Sequence, residues 1–370
     1  MIFTGLNILY YFLNRNRIGQ DIAFFEHEKF VKGHYFVKEA NASADKNYTF
    51  KVYELDEKDK KDKPIFFVKQ AKKFDSVNLL DLDTEVRALD ILNRKDSLLE
   101  YIPTLIDADF NNGFIATNYV DGNSLRNYLT KNHQYIGVIK EEEAHISHIF
   151  KKMAHLMAEL HNLPYKEDFA EYSPMLFQLN EEFLDNLSKI SKLENSEIVS
   201  KNIPNQQIID NLKAIIPFIK QIDYKKNALI HRDVHFNNFI YNQTNNTSEL
   251  KLIDWELTSF GDKYWDIARI FSSLLDIGTN RIEKKQLFIS QIIKHFWRDY
   301  HFNSKKIITS RKILKVINFI TCEKLLRQLE LMLSGEKIDA DKISEILTCF
   351  NNPKSVVINY INLYDELTKA

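Results

Sequence analysis

One stretch limits the folds open to this chain more than any other: ALIHRDVHFNNFIY at residues 228–241, followed by ELKLIDWE at 249–256. An apolar run leads into His231, Asp233 and Asn238 in the spacing HxDxxxxN, and Asp254 follows Asn238 by sixteen residues. The runs FIYN and ELKLIDWE read as short strands that flank the polar loop QTNNTS, which predicts a hairpin. Around it the pattern is helical, at about 140–162, 177–192 and 206–220 and again beyond residue 264, with few glycines or prolines to interrupt it. A polar loop and a strand-end carboxylate are thus set against a mainly helical body.

These residue types suit one chemistry. Phosphoryl transfer asks little covalent work of a protein; it needs a carboxylate to orient the acceptor hydroxyl and oxygen ligands to keep Mg²⁺ on the phosphates. Asp233 fits the first role as the base. Asn238, a neutral oxygen donor on the same loop, and Asp254, a hard anionic ligand, fit the second, with Glu256 a candidate for a second ion.

The preceding sequence reads as a sheet. HYFVKEA, NYTFKVYEL and IFFVKQA predict three antiparallel strands, with the charged DEKDKKDKP as the tip between the last two. LDLDTEVRALDILNR then places Leu82, Val86, Leu89 and Leu92 near helical spacing, with Glu85 among them. TLIDADF and GFIATNYV, joined through Asn111-Asn112-Gly113, predict a further hairpin and about five strands in all.

HRDVHFNN, LIDWE and YWDIA together resemble the aminoglycoside phosphotransferase and choline kinase family of protein-kinase-like small-molecule kinases. The resemblance implies an α+β, two-lobed protein-kinase-like fold. Residues 1–121 form a nucleotide-binding lobe with a helical lead-in at 1–33. Residues 122–370 form a helical lobe holding the catalytic loop (229–240), the metal-binding strand (250–256) and the acceptor pocket. It also implies that Asp266 in WDIARIF supports the catalytic loop by hydrogen bonding, that His231 orients rather than reacts, and that the base meets the backbone of the connector Asn118-Tyr119-Val120. The family pattern is HGDLHxxN, so Arg232 stands where a glycine is usual.

Lys69 in FFVKQA sits where kinases carry the strand lysine that meets the phosphates, and Glu85 is its natural partner, with Asp81 and Asp83 as alternatives. The segment EANASADKNY should cover the phosphates, yet it holds no glycine to let backbone amides approach closely; Ser43 and Asn47 offer donors instead. The expected co-substrate is ATP or GTP with Mg²⁺, and the expected partner a small-molecule hydroxyl acceptor such as an aminoglycoside, an amino alcohol or a sugar-like compound.

Composition removes other classes. With 50 basic and 51 acidic residues the formal charge is −1, so no global field draws the chain to nucleic acid or an anionic membrane. The apolar start MIFTGLNILYYFL is broken by Thr4, Gly5 and Asn7 and is too short to span a bilayer, so it is expected as a buried helix. Two cysteines, Cys322 and Cys349, make no disulfide framework, which suits the cytoplasm. Oligomeric state is not legible.

A protein or peptide kinase would need an activation segment, whereas only LTSFGDKY separates IDWE from WDIA. A silent pseudokinase scaffold would tend to lose a metal ligand or the strand lysine. A metal hydrolase built on the HxDxH spacing of His231, Asp233 and His235 leaves Lys69 and the Asn238-to-Asp254 spacing without a purpose. Glu181, Glu182 and Asp185 are conceivable contacts for a cationic acceptor, but read more simply as a solvated helix face. Trp255 and Trp265 read as core anchors.

Overall fold

A computed structural model of the chain describes residues 2–4, 34–40, 47–54, 64–71, 76–109, 113–132, 140–163, 228–243, 248–277, 283–305, 307–333, 352–358 and 361–370, with a few single positions besides. Two compact units emerge, one gathering the described residues up to Leu125 with Asn237–Thr258, the other most of the helices.

The first unit is built on strands β1 (Ile2–Thr4), β2 (His34–Glu39), β3 (Asn47–Glu54), β4 (Pro64–Ala71), β5 (Leu105–Asp109) and β6 (Phe114–Asn118). They form one antiparallel sheet in the order β1-β2-β3-β4-β6-β5. Residues 2–4 pair with β2, so the helical lead-in expected at 1–33 is corrected there, while 5–33 lie outside the described residues. An apolar, β-branched segment beside an open sheet edge satisfies its backbone by pairing with it.

Strand alternation makes this sheet two-faced. On β3 and β4, Phe50, Val52, Phe66 and Val68 are buried, and the intervening Thr49, Lys51, Phe67 and Lys69 face a cavity. Register sets Thr49 opposite Lys69 and Lys51 opposite Phe67. Helix α1 (Ser76–Leu92) buries Leu82, Glu85, Val86, Leu89 and Leu92 along one stripe. Each fully buried leucine there contributes roughly 2 kcal/mol.

A second sheet of β10 (Ser248–Leu252), β9 (Phe239–Gln243) and β7 (Asn123–Ser124) completes this unit. This hairpin, expected within the helical part, packs in the first unit. Leu252 N–H donates to the Tyr101 carbonyl at 2.7 Å, and Lys251 Nζ donates to the carbonyls of Leu99 and Ile102. Gly122, at φ 134°, lies against Tyr241: a Cβ there would stand 2.5 Å from the Tyr241 carbonyl oxygen.

The second unit holds α2 (Leu125–Asn132), α3 (Lys140–His161), α4 (Tyr264–Ile277), α5 (Glu283–Asn303), α6 (Ser310–Leu333) and α7 (Leu363–Thr368). Strand β8 (Ala228–Ile230) pairs with β11 (Ser259–Gly261), and β12 (Val357–Ile358) with β13 (Ile361–Asn362). Trp297, Tyr300, Phe271 and Phe296 fill its centre, and Trp265 is 2% exposed. Most of the helices expected at 177–192 and 206–220 lies outside the described residues. No helix among the described residues is long and apolar enough to cross a membrane.

Candidate active site

In the first unit, Lys69 projects from β4 on the face opposite the core. Its ammonium donates to Glu85 Oε2 at 2.7 Å and to Asp254 Oδ1 at 2.5 Å. Of Asp81, Asp83 and Glu85, only Glu85 lies on the buried stripe of α1; Asp83 turns outward and pairs with Arg87. Asp254 follows β10 with a left-handed backbone, φ 70°, and leads into a 3₁₀ turn at Trp255–Leu257. Aspartate tolerates that conformation better than most residues. Trp255 is fully buried, and its indole N–H donates to the Leu252 carbonyl, fixing the turn beneath Asp254.

Glu85, Asp254 and Glu256 bring their carboxylate oxygens within 4.8 Å of one another. Burial works against the Lys69 ammonium, but Asp254, Glu85 and Glu256 outweigh it and hold its pKa well above the ordinary lysine value. Burial lifts the Glu85 carboxyl above its usual range, with the neighbouring Asp254 adding to the lift and Lys69 opposing it. One ammonium among three carboxylates leaves an excess of negative charge on hard oxygen donors, a set that fits Mg²⁺.

These groups line a cavity of about 540 Å³. Asn118 and Val120 line it as well, as do Asn47 and Thr49, while Ser43 lies outside the described residues. Lys51, which no motif marks, also lines it and donates to the Tyr119 hydroxyl at 2.9 Å. Asn238 is buried in the same unit, its carbonyl accepting the Ile253 N–H at 2.9 Å.

In the second unit, α4 shapes the loop that follows β8. Asp266, fully buried in the first turn of α4, accepts the N–H of His231 at Oδ2 and of Arg232 at Oδ1, both at 2.9 Å. Trp265 Nε1 donates to the Arg232 carbonyl at 3.2 Å. Arg232 is thereby held at φ 71°, a left-handed conformation that costs a non-glycine residue about 1 kcal/mol. His231 is fully buried.

Asp233, next along the loop, meets Arg269 from the following turn of α4 and stands 3.4 Å from His235 Nε2. Behind Asp266, His161 Nε2–H donates to Asp266 Oδ2 at 3.2 Å and its Nδ1 accepts from the Tyr300 hydroxyl at 3.0 Å. Burial pulls the His161 pKa below its ordinary value against the pull of Asp266. Glu181 and Asp185 are exposed.

A sequence profile of the phosphotransferase enzyme family matches residues 43–288. The chain belongs to that family. No curated protein sequence matches it. Solved structures similar to this phosphotransferase include the choline kinase of Cryptosporidium parvum Iowa II, at 15% identity over 95% of this chain and 95% of that one, TM-score 0.56. The ethanolamine kinase of Plasmodium vivax is 15% identical over 89% of this chain and 84% of that one, TM-score 0.55. The GDP complex of an aminoglycoside 2′-phosphotransferase-IIIa mutant is 18% identical over 95% and 97%, TM-score 0.54. At such identities the likeness is one of fold: this phosphotransferase has the mixed α+β, kinase-like architecture. It is an enzyme of the phosphotransferase family.

Proposed function

We propose that the chain transfers the terminal phosphoryl group of ATP to a hydroxyl of a small molecule. The observation that carries this reading is Lys69, held by Glu85 and Asp254 at the wall of a 540 Å³ cavity. A lysine fixed by two carboxylates is a preset point charge for the α- and β-phosphates. The connector backbone at Asn118 and Val120 takes the base, and small donors such as Asn47 and Thr49 flank the phosphates.

Asp254 and Asn238 are the proposed Mg²⁺ ligands, with Glu256 as a further oxygen donor. When bound, the ion neutralises charge on the β- and γ-phosphates. Asp233 accepts a hydrogen bond from the acceptor hydroxyl, aligning it and receiving its proton as the new O–P bond forms. His231 and Asp266 keep the loop in shape and do not react. Between Asp254 and Asp266 the chain has room only for the 3₁₀ turn, β11 and the start of α4. That leaves no extended platform for a peptide, which favours a compact acceptor: an aminoglycoside, an amino alcohol such as choline, or a sugar-like compound. We propose a cytoplasmic location for the enzyme, because two cysteines, Cys322 and Cys349, are too few for a disulfide framework.

The test is nucleotide consumption with Mg²⁺ across aminoglycosides, choline, ethanolamine, homoserine, sugars and peptides. At least one small hydroxyl compound should stimulate ADP release, and Asp233→Asn should abolish the stimulation. Stimulation by peptides alone, or by nothing, sinks the proposal in favour of a protein kinase or a silent scaffold.

A further inference from the structure

The contacts around Asp233 reach beyond the loop that carries it. Asp266 and Trp265 fix the peptide units at His231 and Arg232, but the Asp233 side chain has two torsions of its own to settle. Besides His235, 3.4 Å away, the carboxylate meets Arg269, whose guanidinium donates to Asp233 Oδ1. Arg269 stands one turn beyond Asp266 on α4, so Trp265, Asp266 and Arg269 share a helix face and engage successive residues of the loop.

Arg269 is itself anchored. Its Nη1 lies 3.7 Å from Glu323 Oε1 on α6, and Glu323 accepts from Ser272 Oγ, one further turn along α4. The side chains of Arg269, Asp233 and Glu323 are only 20%, 24% and 9% exposed. This distinguishes the pair from solvent-swept surface ion pairs, whose contribution is often nil. A guanidinium presents its donors in a rigid fork and has no acceptor, so it can hold a carboxylate in one plane without competing for a proton.

We infer that Arg269, braced by Glu323, is the positioning residue for Asp233, holding the carboxylate where the acceptor hydroxyl must meet it. The inference rests on the reading above that Asp233 serves that hydroxyl. Misplacing a reacting group by about an ångström costs about 10²-fold in rate.

The test follows ADP release from Mg-ATP with water as sole acceptor, and again with choline, ethanolamine and an aminoglycoside. Wild type is compared with Arg269→Gln, Arg269→Lys, Glu323→Gln and Asp233→Asn. Arg269→Gln should lower kcat about 10²-fold, with KM for Mg-ATP and the thermal midpoint little changed. Arg269→Lys should recover part of that loss, Glu323→Gln should show a smaller one, and Arg269→Gln should add nothing in the Asp233→Asn background.

A loss confined to KM, no loss in kcat, or a full additional loss in the Asp233→Asn background overturns the inference while leaving the kinase reading intact. Acceptor-stimulated turnover at the wild-type rate in Asp233→Asn defeats the kinase reading instead. Crystal structures of the wild-type and Arg269→Gln proteins decide the inference whether or not an acceptor is found: the Asp233 carboxylate should leave its place, and an unmoved carboxylate overturns the proposal.

Discussion

The two units hold their buried carboxylates by opposite means. In the first, Asp254 and Glu85 share one ammonium, Lys69, with Glu256 close by, so the cluster carries more negative charge than it neutralises. In the second, Asp266 is saturated: two backbone N–H groups and an imidazole N–H meet its two oxygens, with no exposure to solvent. An unbalanced carboxylate cluster fits a cation. A balanced one is built to hold shape.

The same conservative change should therefore fail in different ways in the two places. Asp254→Asn should lower Mg²⁺-dependent turnover at least about 10³-fold and leave unfolding by urea close to wild type, since the cluster it relieves is crowded with like charge. Turnover and equilibrium unfolding of one preparation check both halves. Asp266→Asn should instead cost about 3 kcal/mol of stability, because one amide oxygen replaces two carboxylate oxygens opposite two buried N–H donors. A variant as stable as wild type would break the contrast.

Acid should separate the units as well. His301 donates from Nδ1 to the Trp297 carbonyl and lies against Tyr264 and Trp297, and burial pulls its pKa down to about 4. Its folded-state pKa is depressed, so the stability tied to its neutral form is complete above the unfolded value of about 6.5. That stability is lost as pH falls from there through about 4, up to about 3 kcal/mol. His161, shifted in the same direction, adds to this loss. Glu85 is shifted upward, so protonating it relieves the folded state as pH falls. Urea unfolding of wild type and His301→Gln at a series of pH values should give a difference that shrinks on acidification.

The smallest expected effect concerns the backbone after the connector. Gly122→Ala should destabilise the first unit by about 2 kcal/mol, since its Cβ would collide with the Tyr241 carbonyl at a φ that L-residues rarely adopt. A thermal midpoint within a degree of wild type would show that β7 and β9 can separate without cost.

Much of the first unit was legible because periodicity speaks plainly there. The three strand runs and Lys69 stand out by composition, and the stripe from Leu82 to Leu92 includes Glu85, three residues past Leu82 and four before Leu89. The strand at Ile2–Thr4 was not, since three residues carry no period to tell strand from helix. Nor was the place of the 237–258 hairpin, which depends on hydrogen bonds to Leu99, Tyr101 and Ile102 some 150 residues away. Arg269 and Glu323 escaped notice because they stand 36 and 90 residues from Asp233 on ordinary amphipathic helices. An arginine one turn after Asp266 was the one available signal. Lys51 alternated correctly with Val52 but had no motif to mark it.

The left-handed residue at 232 has a consequence for how this loop can vary. Its peptide is gripped by Asp266 on the N–H side and by Trp265 on the carbonyl side, so a substitution cannot escape by relaxing the backbone. A saturation library at this position should sort survivors by tolerance of positive φ rather than by charge or size. Glycine and asparagine should pass with arginine, while valine, isoleucine and threonine should drop out. The loop would then drift only along the narrow set of side chains that its backbone shape admits.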